Sequence, residues 1–242
     1  MKKLADFLIA IFYTRRCRYC RKVIDIRERI CPDCKKDIPR IEGPVCYNCG
    51  FSQKECVCKK KSQHYMRICA PYYYSGAAKR AVKKLKYSDD IDISYILAED
   101  MAAAYKEHYS EMDFDYCTFV PSHKKEQRKR GFNQAQLLAQ HLSKELGIPC
   151  KELLIKTALT TPQHTLNESM RSGNLLGAMQ VKDRHLEKIR GARILLCDDV
   201  KTTGSTLNEC AKTLMICGAA EVDCITYCIA KKDIDKTKNS EG

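Results

Sequence analysis

Two adjacent carboxylates, Asp198 and Asp199, separate an apolar run, Ile194-Leu195-Leu196-Cys197, from the run Thr202-Thr203-Gly204-Ser205-Thr206. The apolar run predicts a buried parallel strand, and a helix is expected over 207–217. Such a strand-loop-helix unit offers backbone N–H groups, hydroxyls and a helix N-terminus to an anion. The acids, one turn away, can accept from sugar hydroxyls or hold a hydrated Mg²⁺. A ligand carrying both a phosphate and a ribose satisfies both halves. An ordinary capping turn accounts for Thr202, Gly204 and Ser205, but it gives no reason for the paired acids. Lys201 either assists a phosphate or points to solvent.

A second group of reactive residues lies near the N-terminus. Of sixteen cysteines, eight fall between 17 and 58: Cys17-x-x-Cys20, Cys31-x-x-Cys34, Cys46-x-x-Cys49 and the tighter Cys56-x-Cys58. Two thiolates spaced this way on a turn grip one tetrahedral ion, and two such pairs close a four-sulfur structural zinc site. Gly50, just after Cys49, suits the turn that follows a zinc knuckle. So little apolar sequence lies here that one or two metal ions must supply much of the folding free energy. The spacing leaves the pairing open: Cys17/20/31/34 with Cys46/49/56/58, or an interleaved cross-brace. Redox dithiols of the C-x-x-C type belong in a βαβ context, which is missing here. The other cysteines (69, 117, 150, 197, 210, 217, 224 and 228) read as small core residues.

These residues need elements to hold them. The length suits one α/β domain plus a small module. Ile68 to Tyr74 reads as a strand, 77–86 and 93–108 as helices, 116–120 as a strand closed by Pro121, and 133–146 as a helix ended by Gly147. Further strands are expected near 153–156, 178–181, 193–197 and 222–230. Alternating strands and helices imply a doubly wound, mainly parallel sheet. The expected division is 1–62, an N-terminal helix with the cysteine module; 63–232, the α/β domain, after a charged link at 59–63; and 233–242, a polar tail.

No apolar stretch reaches the roughly 20 residues of a membrane span. The run 4–13, though flanked by basic residues, holds Asp6 and lacks a small-residue cleavage site, so it reads as a packed helix and not a signal. Sixteen cysteines without an export signal point to the reducing cytoplasm. The net charge of +13 is concentrated: residues 1–62 carry +9 and the remainder +4. A basic module suggests a polyanionic partner, although two zinc tetrathiolates would offset part of that charge.

Between 120 and 133 the loop Pro121-Ser122-His123-Lys124-Lys125-Glu126-Gln127-Arg128-Lys129-Arg130-Gly131-Phe132-Asn133 sets five cations against one acid. Leaving the carboxyl end of a strand, it is a plausible pyrophosphate clamp, because guanidinium groups contact phosphate bidentately.

The 194–206 run resembles the phosphoribosyl pyrophosphate (PRPP) loop of type I phosphoribosyltransferases. Together with Arg130-Gly131-Phe132-Asn133-Gln134, Leu85-Lys86-Tyr87, Gln163…Leu166…Arg171…Asn174 and the cysteine-rich start, it resembles the ComF family over about residues 15–230. The resemblance implies a type I phosphoribosyltransferase-like fold behind a zinc module. It also implies catalytic Asp198 and Asp199 on the ribose hydroxyls, with Mg²⁺. Thr202, Thr203, Gly204, Ser205 and Thr206 would hold the 5′-phosphate, and Lys124, Arg128 and Arg130 would face pyrophosphate; Lys86, Gln163, Arg171 and Asn174 are weaker candidates. Two classes of function follow. One is a transferase displacing pyrophosphate from PRPP, its acceptor unknown, with Tyr72, Tyr73 and Tyr74 able to stack a base or simply to pack. The other is a non-catalytic component of DNA uptake, handling incoming single-stranded DNA beside a competence helicase.

Overall fold

The apolar runs become the two longest strands among the described residues, because residues 194–197 and 222–229 are buried and parallel strands covered on both faces accept such residues. The computed structural model describes residues 15–58, 63–87, 92–122, 127–128, 130–156 and 179–231. The expected helix at 4–13, the tail and part of the basic loop lie outside them. In chain order the elements are α1 (Pro32–Asp37), β1 (Ile68–Cys69), β2 (Tyr72–Tyr73), α2 (Gly76–Tyr87), α3 (Ile93–His108), β3 (Tyr116–Phe119), α4 (Gln134–Leu146) and β4 (Leu154–Lys156). They continue with β5 (Met179–Val181), a 3₁₀ turn at Asp183–His185, α5 (Leu186–Ile189), β6 (Arg193–Lys201), α6 (Ser205–Ile216) and β7 (Glu221–Ile229).

The main sheet has the order β1-β7-β6-β3, with β2 also on β7, and all these pairs are parallel. One strand was expected over 68–74; the structure breaks it into β1 and β2 at Ala70-Pro71, because proline has no N–H for the ladder. Beyond β3 the segment around Cys150 adds one more parallel bridge, Cys117 to Cys150. The main sheet therefore grows outward from β3 through α4, and in the other direction from β6 through α6. Right-handed crossovers of opposite direction place α4 and α6 on opposite faces. Helices α3 and α4 pack side by side over one face, and α6 packs on β6, β7 and β5.

Two further expectations are corrected. Strands β4 and β5 do not join the parallel sheet but pair antiparallel with each other, with Leu154 opposite Val181. Only the first residue of each is buried, so neither has the two covered faces of an interior parallel strand. The strand expected to stop at Cys197 runs on to Lys201, because β7 continues the ladder beside it through Asp198–Thr226, Val200–Cys228 and Lys201–Ile229.

The cysteine module is fastened to the open edge of this sheet. Ile41, Val45, Ala70, Tyr73 and Ile229 form a small core against which Phe51 packs, and the Phe51 and Tyr73 rings meet edge-on at 5.5 Å. Gly50, at φ +79°, lies so close that a Cβ there would stand 2.2 Å from Ile229 Cδ1. Only glycine fits both the left-handed turn and this approach. On the other side, the Tyr19 hydroxyl donates to Asp100 of α3, and Arg18 pairs with Glu99. Among the described residues no helix is long and apolar enough to cross a membrane.

Candidate functional site

The chain reverses its direction of growth between β3 and β6, and in an open α/β sheet the crevice at the carboxyl ends of such neighbours is where ligands sit. Val120, just past β3, donates its N–H to Cys197 O at 3.0 Å, which sets the two strand ends level. Asp198 and Asp199 follow on β6, and the basic loop leaves β3 at the same end. Asn133 holds that loop down. Its Nδ2 donates to Val120 O at 3.0 Å while its Oδ1 accepts from Ala135 N at 3.0 Å, which also caps α4.

Asp199 is buried and faces Lys86 of α2, with Nζ to Oδ2 at 2.6 Å. Asp199 N donates to Asp198 Oδ1 at 2.8 Å. Asp198 keeps part of its surface accessible, yet enough protein surrounds the carboxyl that burial, and then the neighbouring Asp199, push its pKa well above the usual carboxylate range; Lys86 only partly counters this. Burial opposes the charge of Lys86, but Asp199 and Asp198 outweigh it and its pKa rises. Two acids are thus packed together with one cation: Lys86 pairs with Asp199, and the crowding favours the protonated form of Asp198, a strained arrangement that hydroxyl donors or a cation could relieve.

From Lys201 the chain turns through Thr202 and Thr203 to Gly204, at φ +81°, and enters α6. Ser205 N donates to Thr203 Oγ1 at 3.3 Å and the two hydroxyls lie 2.9 Å apart. Thr202, Thr203, Ser205 and Thr206 are exposed, so the hydroxyls and the first N–H groups of α6 face outward from the same strand end as the acids. Lys201 does not point to solvent: it is 8 % exposed, and its Cε and Nζ lie 3.0 and 3.7 Å from where a Cβ on Gly204 would stand.

Arg130 reaches toward α2, where its Cζ lies 5.7 Å from the centre of the exposed Tyr87 ring, and it donates to Gln134 Oε1 at 3.3 Å. Arg128 is exposed. Lys124, Gln163, Arg171 and Asn174 lie outside the described residues. Of the three tyrosines able to stack a base, Tyr72 and Tyr73 are buried, and the Tyr73 hydroxyl accepts from Ser52 N at 3.1 Å.

The eight N-terminal cysteines gather in chain order. Cys17, Cys20, Cys31 and Cys34 form one group and Cys46, Cys49, Cys56 and Cys58 the other, each with its sulfurs within 4.8 Å of one another. Sulfur pairs at 3.5 Å (Cys20–Cys31), 3.7 Å (Cys46–Cys58), 3.5 Å (Cys49–Cys56) and 3.3 Å (Cys56–Cys58) approach the edge of about 3.8 Å that Zn–S bonds of about 2.3 Å require. All eight are free thiols, so both groups suit structural zinc, and no side of either is left open by its ligand set. Two of the three C-x-x-C turns are followed by a left-handed residue, Arg21 (φ +65°) after Cys20 and Gly50 (φ +79°) after Cys49, whereas Cys34 continues into α1. Of the other eight cysteines only Cys150 and Cys217 are partly exposed.

Reading the sequence did not pick out Asn48 and Tyr65, which bridge the second group to the Thr202–Thr206 loop, nor the strength of the Lys86–Asp199 contact. The tyrosine left one signal, an aromatic just before the first strand; the asparagine, inside a knuckle, left none.

Known proteins fit these features. The family model described as Double zinc ribbon domain matches residues 8–70, and that described as Phosphoribosyl transferase domain matches residues 130–241. Competence protein F of Haemophilus influenzae is 30% identical over 222 residues, covering 87% of this chain and 95% of the relative. DNA utilization protein YhgH of Escherichia coli is 29% identical over 217 residues, 88% of this chain and 89% of the relative. Competence protein ComFC of Bacillus subtilis is 27% identical over 203 residues, 80% of each.

Proposed function

This chain belongs to the competence protein F (ComF) family, and from that premise we propose that it binds PRPP, or a related ribose phosphate, with Mg²⁺ between the carboxyl ends of β3 and β6. The observation that carries the reading is the half-neutralised Asp198–Asp199 pair on the same strand that ends in the exposed hydroxyl loop. Thr202 to Thr206 take the 5′-phosphate by hydroxyls, N–H groups and the positive end of α6. Asp198 and Asp199 accept from the ribose hydroxyls, and Lys86 turns from Asp199 toward the leaving-group end. Arg128, Arg130 and Lys124 face pyrophosphate there. Zinc at the two four-cysteine groups is structural.

The reaction this arrangement supports is displacement at C1 of the ribose with departure of pyrophosphate. The chain's contribution is positional and electrostatic. The acids fix the ring through its hydroxyls and stabilise positive charge growing on it, while the basic loop stabilises negative charge on the departing group. Asp198 and Asp199 would hold Mg²⁺ together with the ligand, and the ion would supply further neutralisation of the charge on the departing group. Relatives named for competence and DNA utilization support a role for this activity in DNA uptake, and the many free thiols suit the reducing cytoplasm.

A second reading has its own support. Arg15, Arg16, Arg21, Lys22, Arg27 and Arg29 are exposed on the zinc module, a surface suited to the phosphates of single-stranded DNA presented by a helicase. Calorimetric titration separates the two. Wild-type protein should release or absorb heat on addition of PRPP with Mg²⁺, and an Asp198→Asn/Asp199→Asn variant should give none. Equal heats from both proteins, or none from either, would sink the ligand site. Binding of an oligonucleotide that falls steeply with salt and ignores the acid substitutions supports the second reading.

A further inference from the structure

We propose that the second four-cysteine knuckle buttresses the Thr202–Thr206 loop, and that Tyr65, held by Asn48, is the positioning residue that transmits this support. The inference rests on the ligand-site reading above and goes beyond it by giving the metal knuckle a part in the site.

The contacts form a continuous line. Asn48, inside the Cys46-x-x-Cys49 turn, donates its Nδ2 to Cys58 Sγ at 3.3 Å. The hydroxyl of Tyr65 donates to the backbone carbonyl of the same Asn48 at 3.4 Å. That hydroxyl lies 3.6 Å from where a Cβ on Gly204 would stand, beside Lys201 Cε and Nζ at 3.0 and 3.7 Å from the same point. Tyr65 is 3 % exposed, so its ring is a fixed post and not a mobile surface group. The neighbouring His64 is clasped to α6, its N–H donating to Asn208 Oδ1 at 2.8 Å, and Met66 N donates to Val222 O at 2.9 Å.

A second, independent contact joins the same two regions. Gly50 of the knuckle presses on Ile229, and Ile229 is the register partner of Lys201, the last strand residue before the loop. Ala230 N closes this end by donating to Lys201 O at 2.8 Å. The knuckle therefore touches the loop's root through the sheet and its turn through Tyr65.

Physical reasons favour such a support. Between the end of β6 and the start of α6 this loop has only three residues, Thr202, Thr203 and the left-handed Gly204, and an anion site works only if its N–H groups are already aimed. Ordering such residues at the moment of binding weakens binding, and a buried hydroxyl fixed from behind removes that cost. A metal-bound thiolate is a charged acceptor, so Asn48 is held more firmly by a zinc-loaded Cys58 than by a neutral thiol. Gly204 must remain glycine on the side where Tyr65 and Lys201 approach.

Tyr65→Phe keeps the ring and removes only the hydroxyl. Amide hydrogen exchange of the zinc-loaded, ligand-free protein should quicken by about 5- to 20-fold across 202–206 in this variant, while 194–200 stays as in wild type and zinc content is unchanged. PRPP–Mg²⁺ affinity should weaken by a similar factor. Cys58→Ser should loosen the same peptide; if that chain fails to fold, Tyr65→Phe decides alone. Unchanged exchange at 202–206, or equal acceleration across β6, overturns the proposal. If wild-type protein does not bind PRPP, the ligand-site reading falls, and the exchange comparison still decides whether the knuckle holds the loop.

Discussion

Serine in place of Cys34 should reduce bound zinc by one ion per chain and lower the free energy of unfolding by about 3–5 kcal/mol. Structural zinc contributes about 10–16 kcal/mol of apparent binding energy in isolated fingers, all of it folding energy where no core exists without the metal. Here the first group is not isolated, so only part of that is lost. Tyr19, between Cys17 and Cys20, donates to Asp100 and lies 3.5 Å from the Tyr72 hydroxyl, whose ring meets Tyr227 at 5.4 Å. Arg80 of α2 reaches Cys34 Sγ at 4.0 Å and Asp37 at 2.7 Å. Losing the ion frees the turn that aims Tyr19, and Asp100, whose pKa burial already raises, then stands buried with a poorer donor. Chemical denaturation with parallel metal analysis measures both quantities. A Cys34→Ser protein that keeps both zinc ions and its wild-type midpoint contradicts the assignment of the first group.

Asp198→Asn should move stability and binding in opposite directions. Burial and Asp199 raise the folded-state pKa of Asp198 well above its ordinary 3.8, so the folded protein holds a proton that the unfolded chain gives up. The sign follows directly: stability is lost as pH rises from about 3.8 through the raised value, and below 3.8 the penalty vanishes. Asparagine carries no charge, so the variant should be more stable than wild type at pH 7, by about 0.5–2 kcal/mol, the usual gain of a stabilising substitution. That gain should fade in melts taken below pH 4. Affinity for PRPP with Mg²⁺ should fall by about 100-fold, because the cation and the ribose hydroxyls favour the ionised form of Asp198, a charged acceptor worth about 1.5–3 kcal/mol, and the amide returns little of it. A variant that is less stable at pH 7 and binds as wild type contradicts the strained acid pair. An acid kept at the expense of stability is what a site built for a ligand requires.

How much of this was legible in the sequence depended on whether the signal was local. The cysteine groups were, because ligands within two or three residues of each other announce a tetrahedral turn. Their partnership was not, since sequential and interleaved pairings have the same spacing, and only the positions of the four turns decided it. The Asp198–Gly204 unit and its helix were legible for the same reason. The extension of β6 through both acids was hidden, because Thr226, Cys228 and Ile229 on β7 supply the ladder that carries a polar segment past its own propensity. The isolation of β4 and β5 was hidden too: two short runs of mixed polarity reveal no partner until both are placed. Helix α1 could have been found, since Pro32 stands at its first turn behind Cys31, whose sulfur accepts from Cys34 N at 3.4 Å. Lys86 against Asp199, and Tyr65 between a knuckle and Gly204, join residues far apart in the chain, and no periodicity marks such contacts.

The central claim is that one ligand bridges the acid pair and the hydroxyl loop at the switch between β3 and β6. A crystal structure of the zinc-loaded protein grown with PRPP and Mg²⁺ tests it most directly. The expected result is the 5′-phosphate against Thr202–Thr206, the ribose hydroxyls within hydrogen-bond reach of Asp198 and Asp199, and Lys86 turned away from Asp199. A PRPP molecule bound elsewhere, or a crevice where Lys86 still holds Asp199 at saturating ligand, would contradict it.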